Sequence, residues 1–420
     1  MDPFKKCFSP VNLNGLTLRN RLIKAATFEG KSPNGYPTDE LIRFHERMGQ
    51  GGVAMTTVGY CAAESNGRIN ENMLFMHEGV RNRLEKLISA VHTTGAKVSG
   101  QLSHCGNFSK NKTLTDKRPM GPSTGINMLG LPYGMPLTGS MTKIQICERV
   151  QVFGRAAAFM KSVGFDAIEI HFGHGYGVSQ FISPKTNKRK DEYGGSLINR
   201  MRFPLEILAE VRKAVGDDYP LLGKISMTDG VRGGVTYEES VEIAALLEAG
   251  GIDAIICSGG TSSMNPMLFF RGDSMVPGLI EHEKSLIMRF GLKLVGDKMF
   301  RNYPYHEMFF LEHAKRIRER VKCGVCYIGG VCDNDSIQTL MQEGFDFIQL
   351  GRGLIYDPDM PIKAQNNLSY HNPCTHCNRC ATLIEADGGI RCVLRDVPVE
   401  DMPVENKVAA KIEIAEAVIS

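Results

Sequence analysis

Short runs of apolar, β-branched residues alternate with longer amphipathic stretches along the chain. The runs at Leu22–Ala26, Val53–Val58, Lys97–Leu102, Ala167–His171, Leu221–Ile225, Ala254–Ser258, Val325–Ile328 and Phe347–Leu350 predict strands. They are short apolar runs and not clean alternations, as parallel strands buried on both faces require. Between them, Glu40–Met48, Val80–Thr94, Lys143–Val163, Arg200–Val215, Tyr237–Ala249, Tyr305–Val321 and Asp333–Glu343 predict helices. Glycine pairs such as Gly250 with Gly251 and Gly329 with Gly330 punctuate the joins. This alternation predicts an α/β protein built as a closed (β/α)8 TIM barrel and not as an open sheet.

Two joins exceed plain loops. Residues 107–142 carry little periodicity, and residues 259–304 carry Met264, Met267, Phe269, Phe270, Met275 and Tyr303. Both follow predicted strands at the C-terminal face, where barrel active sites sit. They read as binding loops around an apolar, adaptable pocket, with local core for the excursions as the competing reading. The chain divides on this view into a barrel over residues 1–365 and a cysteine-containing C-terminal extension over 366–420, packed on the barrel.

Composition narrows the function. A net charge of +3 with 23 % charged residues argues against a nucleic-acid partner. The basic run from Lys185 to Lys190 meets Asp191 and Glu192 at once and reads as a solvated loop. The N-terminus lacks the apolar core of a signal peptide, and no stretch reaches the about 18 apolar residues of a membrane span. A cytoplasmic protein is expected. Eight of the twelve cysteines are scattered and predict free thiols in a reducing compartment.

The densest chemistry follows the fourth predicted strand. His171, His174 and Tyr176 set three proton-capable side chains on one loop at the barrel mouth. Two neighbouring imidazoles suit a metal or one carbonyl oxygen. No further His or carboxylate stands at metal spacing, which favours the oxygen. Two donors aimed at it lower the cost of negative charge growing there. A tyrosine nearby could then protonate the adjacent carbon. Gly329 and Gly330 follow the seventh strand, and Gly351 and Arg352 close the eighth. Backbone N–H groups and a cation on these two loops predict a phosphate site.

From Gln180 and Phe181 through Ser183, Pro184, Asn187, Arg189, Asp191, Glu192, Tyr193, Gly194, Gly195 and Ser196 to Asn199, Arg200, Arg202 and Phe203, the chain resembles the Old Yellow Enzyme family of FMN-dependent ene-reductases. It is similar also to the related barrel domain of bacterial 2,4-dienoyl-CoA reductase. Phe8, Arg19, Arg21, Gly67, Arg68, His104, Gly106 and Gly121 extend the match, which runs from about residue 8 to 365. The resemblance implies that His171 and His174 hold the substrate's activating oxygen over the flavin and that Tyr176 protonates the α-carbon. It implies that Gln101 bonds the pyrimidine edge and that the backbone of Ala25, Ala26, Thr27 and Gly59 lines the flavin near N5. Gly329, Gly330, Gly351 and Arg352 would hold the FMN phosphate. Lys224 replaces the usual arginine beside N1 and supplies charge without a bidentate fork. Phe28 and Asn107 are further departures from the family pattern.

Near the C-terminus, Cys374, Cys377, Cys380 and Cys392 stand as C-x2-C-x2-C-x11-C. Four thiolates so spaced suit an iron–sulfur cluster or zinc, with free thiols as the third reading. In the dienoyl-CoA reductase branch, similar cysteines bind a 4Fe-4S cluster, with a wider third spacing. The expected function is an ene-reductase with FMN as cofactor, NAD(P)H as reductant and a small electron-poor alkene as partner. Competing readings are a dienoyl-CoA reductase-like or demethylating dehydrogenase-like enzyme passing electrons through a cluster to a partner protein, and a non-enzymatic flavin-binding barrel. A flavin-free aldolase-type barrel would need Lys224, or less readily Lys97, as a Schiff-base lysine. The oligomeric state, including a homo-oligomer, stays open.

Overall fold

Every predicted strand closes on its successor. In the computed structural model, which describes residues 2–283, 286–395 and 397–404, eight parallel strands form a closed barrel in sequential order. They are β1 (Leu22–Lys24), β2 (Met55–Ala62), β3 (Lys97–Ser103), β4 (Ala167–Phe172), β5 (Leu221–Ser226), β6 (Ala254–Ser258), β7 (Gly324–Ile328) and β8 (Phe347–Leu350). The (β/α)8 expectation is met. Around the barrel run α1 (Asp39–Gln50), α2 (Arg81–His92), α3 (Lys143–Ser162), α4 (Leu197–Val215), α5 (Tyr237–Ala249), α6 (Leu311–Arg320), α7 (Asn334–Gln342), α8 (Arg352–Tyr356) and α9 (Met360–Asn366).

Local chemistry explains the boundaries. Thr142 and Gln145 form a reciprocal capping box that starts α3. Thr38, Ser196, Thr236 and Asp333 each cap the next helix with a side-chain oxygen. The helix expected from Tyr305 starts only at Leu311. Before it, Met308 has φ 50° and donates its N–H to Gly330 O at 2.6 Å, so this segment is held against the β7 loop. No helix was expected after β8, yet α8 and α9 fill that place.

A hairpin of Val11–Leu13 and Leu16–Leu18 closes the N-terminal end of the barrel. Its Leu13 and Leu18 pack with Ile23, Met55, Ala167, Leu222, Ala254, Ile256, Cys326 and Phe347, the inward-facing residues of seven strands. The C-terminal face carries the excursions. Residues 107–142 hold a small three-stranded sheet of Met120–Gly121, Gly125–Ile126 and Leu137–Ser140, each too short to show a period. Residues 259–304 hold two helices, Val276–His282 and Leu286–Met299. Met267 and Met275 pack among Phe270, Leu279, Tyr303 and Ala381, so these methionines are excursion core. Among the described residues no helix is long and apolar enough to cross a membrane.

Candidate active site at the barrel mouth

The end of β4 delivers its three side chains to one place. His171, next to last in the strand, is buried. His174 takes φ 61° in the turn that follows, and its N–H donates to Ser226 Oγ at 2.8 Å. The imidazole rings lie 5.0 Å apart edge to face, and the Tyr176 ring lies 5.0 Å from His171. His174 Nε2 bonds Ser258 Oγ at 2.7 Å, and Phe269 stacks on the ring at 4.6 Å. His171 Nδ1 is buried and has no hydrogen-bond partner within the protein, a polar atom that a bound group would satisfy. Ser262 donates to Tyr176 Oη at 3.1 Å, which leaves the phenol hydrogen free for a substrate.

The electrostatics keep this trio neutral. Burial, then the nearby cations, holds His171 well below its ordinary value and His174 down at about 3. Burial raises the Tyr176 phenol and keeps it protonated. Neutral imidazoles and a neutral phenol are donors that carry no charge of their own into the site. Beneath them, Glu169 accepts from Gln101 Nε2 at 2.6 Å and Gln349 Nε2 at 2.7 Å, and pairs with Lys224 at 2.9 Å. A carboxylate beside the Gln101 amide fixes its N–H₂ inward, so its oxygen is left as an acceptor at the mouth. Sequence reasoning missed Glu169 as the hub; its place two residues before His171 on an inward-facing register was the signal.

Buried neutral histidines carry a stability cost in acid. Burial holds His104 down at about 4 and His45 and His171 well below the ordinary 6.5. The folded values are depressed, so between pH 6.5 and about 4 the unfolded chain binds protons that the folded chain refuses. Stability is expected to fall as pH drops through that window, by about 1.4 kcal/mol per pH unit for each ring. Thermal midpoints at pH 7.5, 6.5 and 5.5 check this, and a midpoint rising toward pH 5.5 would contradict it.

Residues 6–263 match the model of the NADH:flavin oxidoreductase / NADH oxidase family. The chain belongs to this family. It is 40 % identical over 398 residues to the 4,4'-dithiodibutanoate disulfide reductase of Rhodococcus erythropolis, covering 94 % of this chain and 96 % of that protein. It is 32 % identical to a metal reductase of Desulforamulus reducens, with 89 % of this chain covered but 50 % of that protein. A solved 2-naphthoyl-CoA reductase complex superposes with a TM-score of 0.77 at 25 % identity, over 93 % of this chain and 56 % of that one. The resemblance read from the motifs therefore holds, and the chain is an oxidoreductase that works with FMN and a reduced nicotinamide.

The flavin oxidoreductase places its expected cofactor residues as follows. Gly59 on β2 packs on the β1 loop so closely that an added Cβ would lie 2.8 Å from Ala26 Cβ and 2.9 Å from Thr27 N. Ala25, Ala26, Thr27 and Gly59 are thus one surface. The Gly59→Ala variant is expected to push that loop out, lose about 1–3 kcal/mol of stability and purify with depleted flavin, read as the 450 nm to 280 nm absorbance ratio. Phe28 packs with Tyr60, Met73 and Tyr176 and forms the side of the mouth. Gly329 and Gly330 have φ 133° and 72°, which glycine adopts freely, and Gly351 faces open space. Gly329 and Gly330 are packed against Phe309 and Phe310, and Gly351 alone of the three is open. The unpartnered His171 Nδ1, the oriented Gln101 and the open Gly351 fit FMN.

The Arg352 side chain turns toward the second excursion and the C-terminal segment. Its Nη1 donates to Arg271 O at 2.8 Å and to Asn378 Oδ1, and its side chain lines a cavity of about 20 Å³ with Cys374, Cys377, Cys380 and Cys392. All four thiols are free. Burial pushes Cys380 up to about 12. Among the described residues no three His, Cys, Asp or Glu side chains are arranged to hold a single metal ion. A cleft of about 650 Å³ opens beside Phe28, between Lys110, Lys112 and Tyr133 of the first excursion and Glu385 and Asp387 of the C-terminal segment. Its lining is mixed and charged, and it includes neither His171, His174 and Tyr176 nor the methionines of the second excursion.

Proposed function

We propose that this oxidoreductase is an FMN-dependent ene-reductase, reducing the C=C bond of an α,β-unsaturated carbonyl or similar electron-poor alkene with NAD(P)H. The convergence of His171, His174 and Tyr176 at the end of β4, all neutral and with the His174 and Tyr176 rings each 5.0 Å from His171, carries the reading. When bound, FMN would supply the hydride chemistry that links the nicotinamide to the alkene. The chain does the rest. His171 and His174 hold the activating oxygen and polarise it. Tyr176 gives its proton to the α-carbon. Gln101 and Lys224 would hold the pyrimidine edge of FMN, Ala25, Ala26, Thr27 and Gly59 its N5 side, and Gly329, Gly330, Gly351 and Arg352 its phosphate.

The four thiols around one cavity favour a 4Fe-4S cluster over zinc, because a zinc ion needs ligands gathered on a single point. The division near residue 365 into barrel and cysteine extension is part of this reading; of that extension, residues 405–420 lie outside the described residues. The identity to a disulfide reductase across nearly the whole chain supports a second substrate class, an organic disulfide at the same site.

An anaerobic absorption spectrum before and after NADH or NADPH tests both readings. Flavin bands near ~450 nm that bleach, then return on adding an enone, support ene-reduction. Return only with a disulfide would replace it. Iron and sulfide analysis of the same sample decides the cluster.

A further inference from the structure

The segment that runs from β1 to Gly30 contains a buried ion pair that the site described above leaves unused. Lys24, the last residue of β1, pairs with Glu29, and their side chains are 1 % and 2 % exposed. Lys24 Nζ also donates to Thr27 Oγ1 at 2.9 Å and to Thr57 O on β2 at 3.3 Å. Thr27 Oγ1 donates in turn to Glu29 Oε1 at 2.9 Å. The ammonium lies 5.1 Å from the Phe44 ring centroid on α1, and His45 Nε2 stands 4.0 Å from Glu29. From the outer side, Ile390 N donates to Glu29 O at 2.9 Å, and a Cβ on Gly389 would meet that oxygen at 2.3 Å. Lys31 Nζ fixes the same C-terminal segment through Gly388 O at 2.7 Å and Glu400 at 2.6 Å.

A buried ion pair is a poor source of stability, since desolvation offsets most of the attraction. This one is spent on geometry. Its two ends bracket Ala25, Ala26 and Thr27, and the Thr27 hydroxyl ties the middle of the loop to both charges. The threonine side chain is turned to Lys24, so the backbone is what the loop presents to the mouth.

We propose that the side chains of Lys24, Thr27 and Glu29 are positioning groups that lock the Ala25–Thr27 backbone against the reactive edge of the flavin, and so set flavin affinity and reduction potential without themselves touching it. The proposal rests on the reading that this backbone lines FMN. Two variants of the holoenzyme test it. Thr27→Val keeps the size of the side chain and the ion pair but cuts the tie. The variant loses two hydrogen bonds, from Lys24 and to Glu29. Its FMN dissociation constant, followed by flavin fluorescence, is expected to rise about fivefold or more, with a shifted midpoint potential that a merely structural loss would not produce. Lys24→Met with Glu29→Leu replaces the pair by apolar groups; it is expected to fold and to release FMN at least about tenfold more readily. Native FMN affinity and potential in Thr27→Val would overturn the proposal, and this variant decides if the double variant does not fold. Wild-type chain that takes up no FMN would instead remove the flavin reading itself, and the device with it.

Discussion

Replacing Tyr176 with phenylalanine is expected to slow enone reduction by about 10²–10⁴-fold, the usual contribution of a positioned proton donor. Reduction of the flavin by NAD(P)H is expected to stay near wild type, because that step needs no proton from the phenol. The geometry makes the split sharp. Tyr176 accepts from Ser262 and keeps its own hydrogen free, and its ring rests on Tyr60 at 5.5 Å, so phenylalanine keeps the packing and loses only the donor. Stopped-flow absorbance separates the two half-reactions. Equal losses in both would mean that the substitution disturbs the flavin and that the proton comes from elsewhere.

Replacing Arg47 with methionine is expected to cost about 3–5 kcal/mol, as breaking one side of a buried ion pair does. Arg47 on α1 meets Asp359 with both Nη atoms at 2.7 and 2.5 Å, and donates to Met402 O at 2.9 Å and Pro403 O at 2.8 Å. The side chains are 3 % and 5 % exposed, so the substitution strands a carboxylate away from water. It also frees two carbonyls of the C-terminal segment. Thermal unfolding is expected to start several degrees lower. Pairing the change with Asp359→Leu should restore most of the loss; failure to do so would assign the stability to the carbonyl contacts and not to the ion pair.

The barrel was legible because buried parallel strands write themselves as apolar runs, and all eight runs fall on strands. The catalytic trio was legible for a related reason: the strand ends one residue after His171, so the residues that follow must sit at the mouth. The long motif from Asn187 to Arg200 identified the family while carrying no chemistry. Asn187 donates to Phe181 O and Tyr193 O at 2.7 Å, and Arg189 grips Asp191 and Met141 O, so these residues brace the loop behind the trio. What stayed hidden depends on distant partners. The Glu169 hub draws on β3, β4, β5 and β8 together, and the turn of Arg352 toward Asn378 depends on a segment with no periodicity. The excursion sheet escaped because strands of two to four residues have no repeat to read.

The hairpin at Val11–Leu18 has a kinetic meaning. It covers the N-terminal end of the barrel, while His171, His174 and Tyr176 lie at the opposite end. On the proposed ene-reductase reading, electron donor and electron acceptor share that end and take turns there, each leaving before the other enters. Turnover is expected to follow parallel lines in a double-reciprocal plot and to slow at high concentrations of either partner, because the crowded end admits the wrong one.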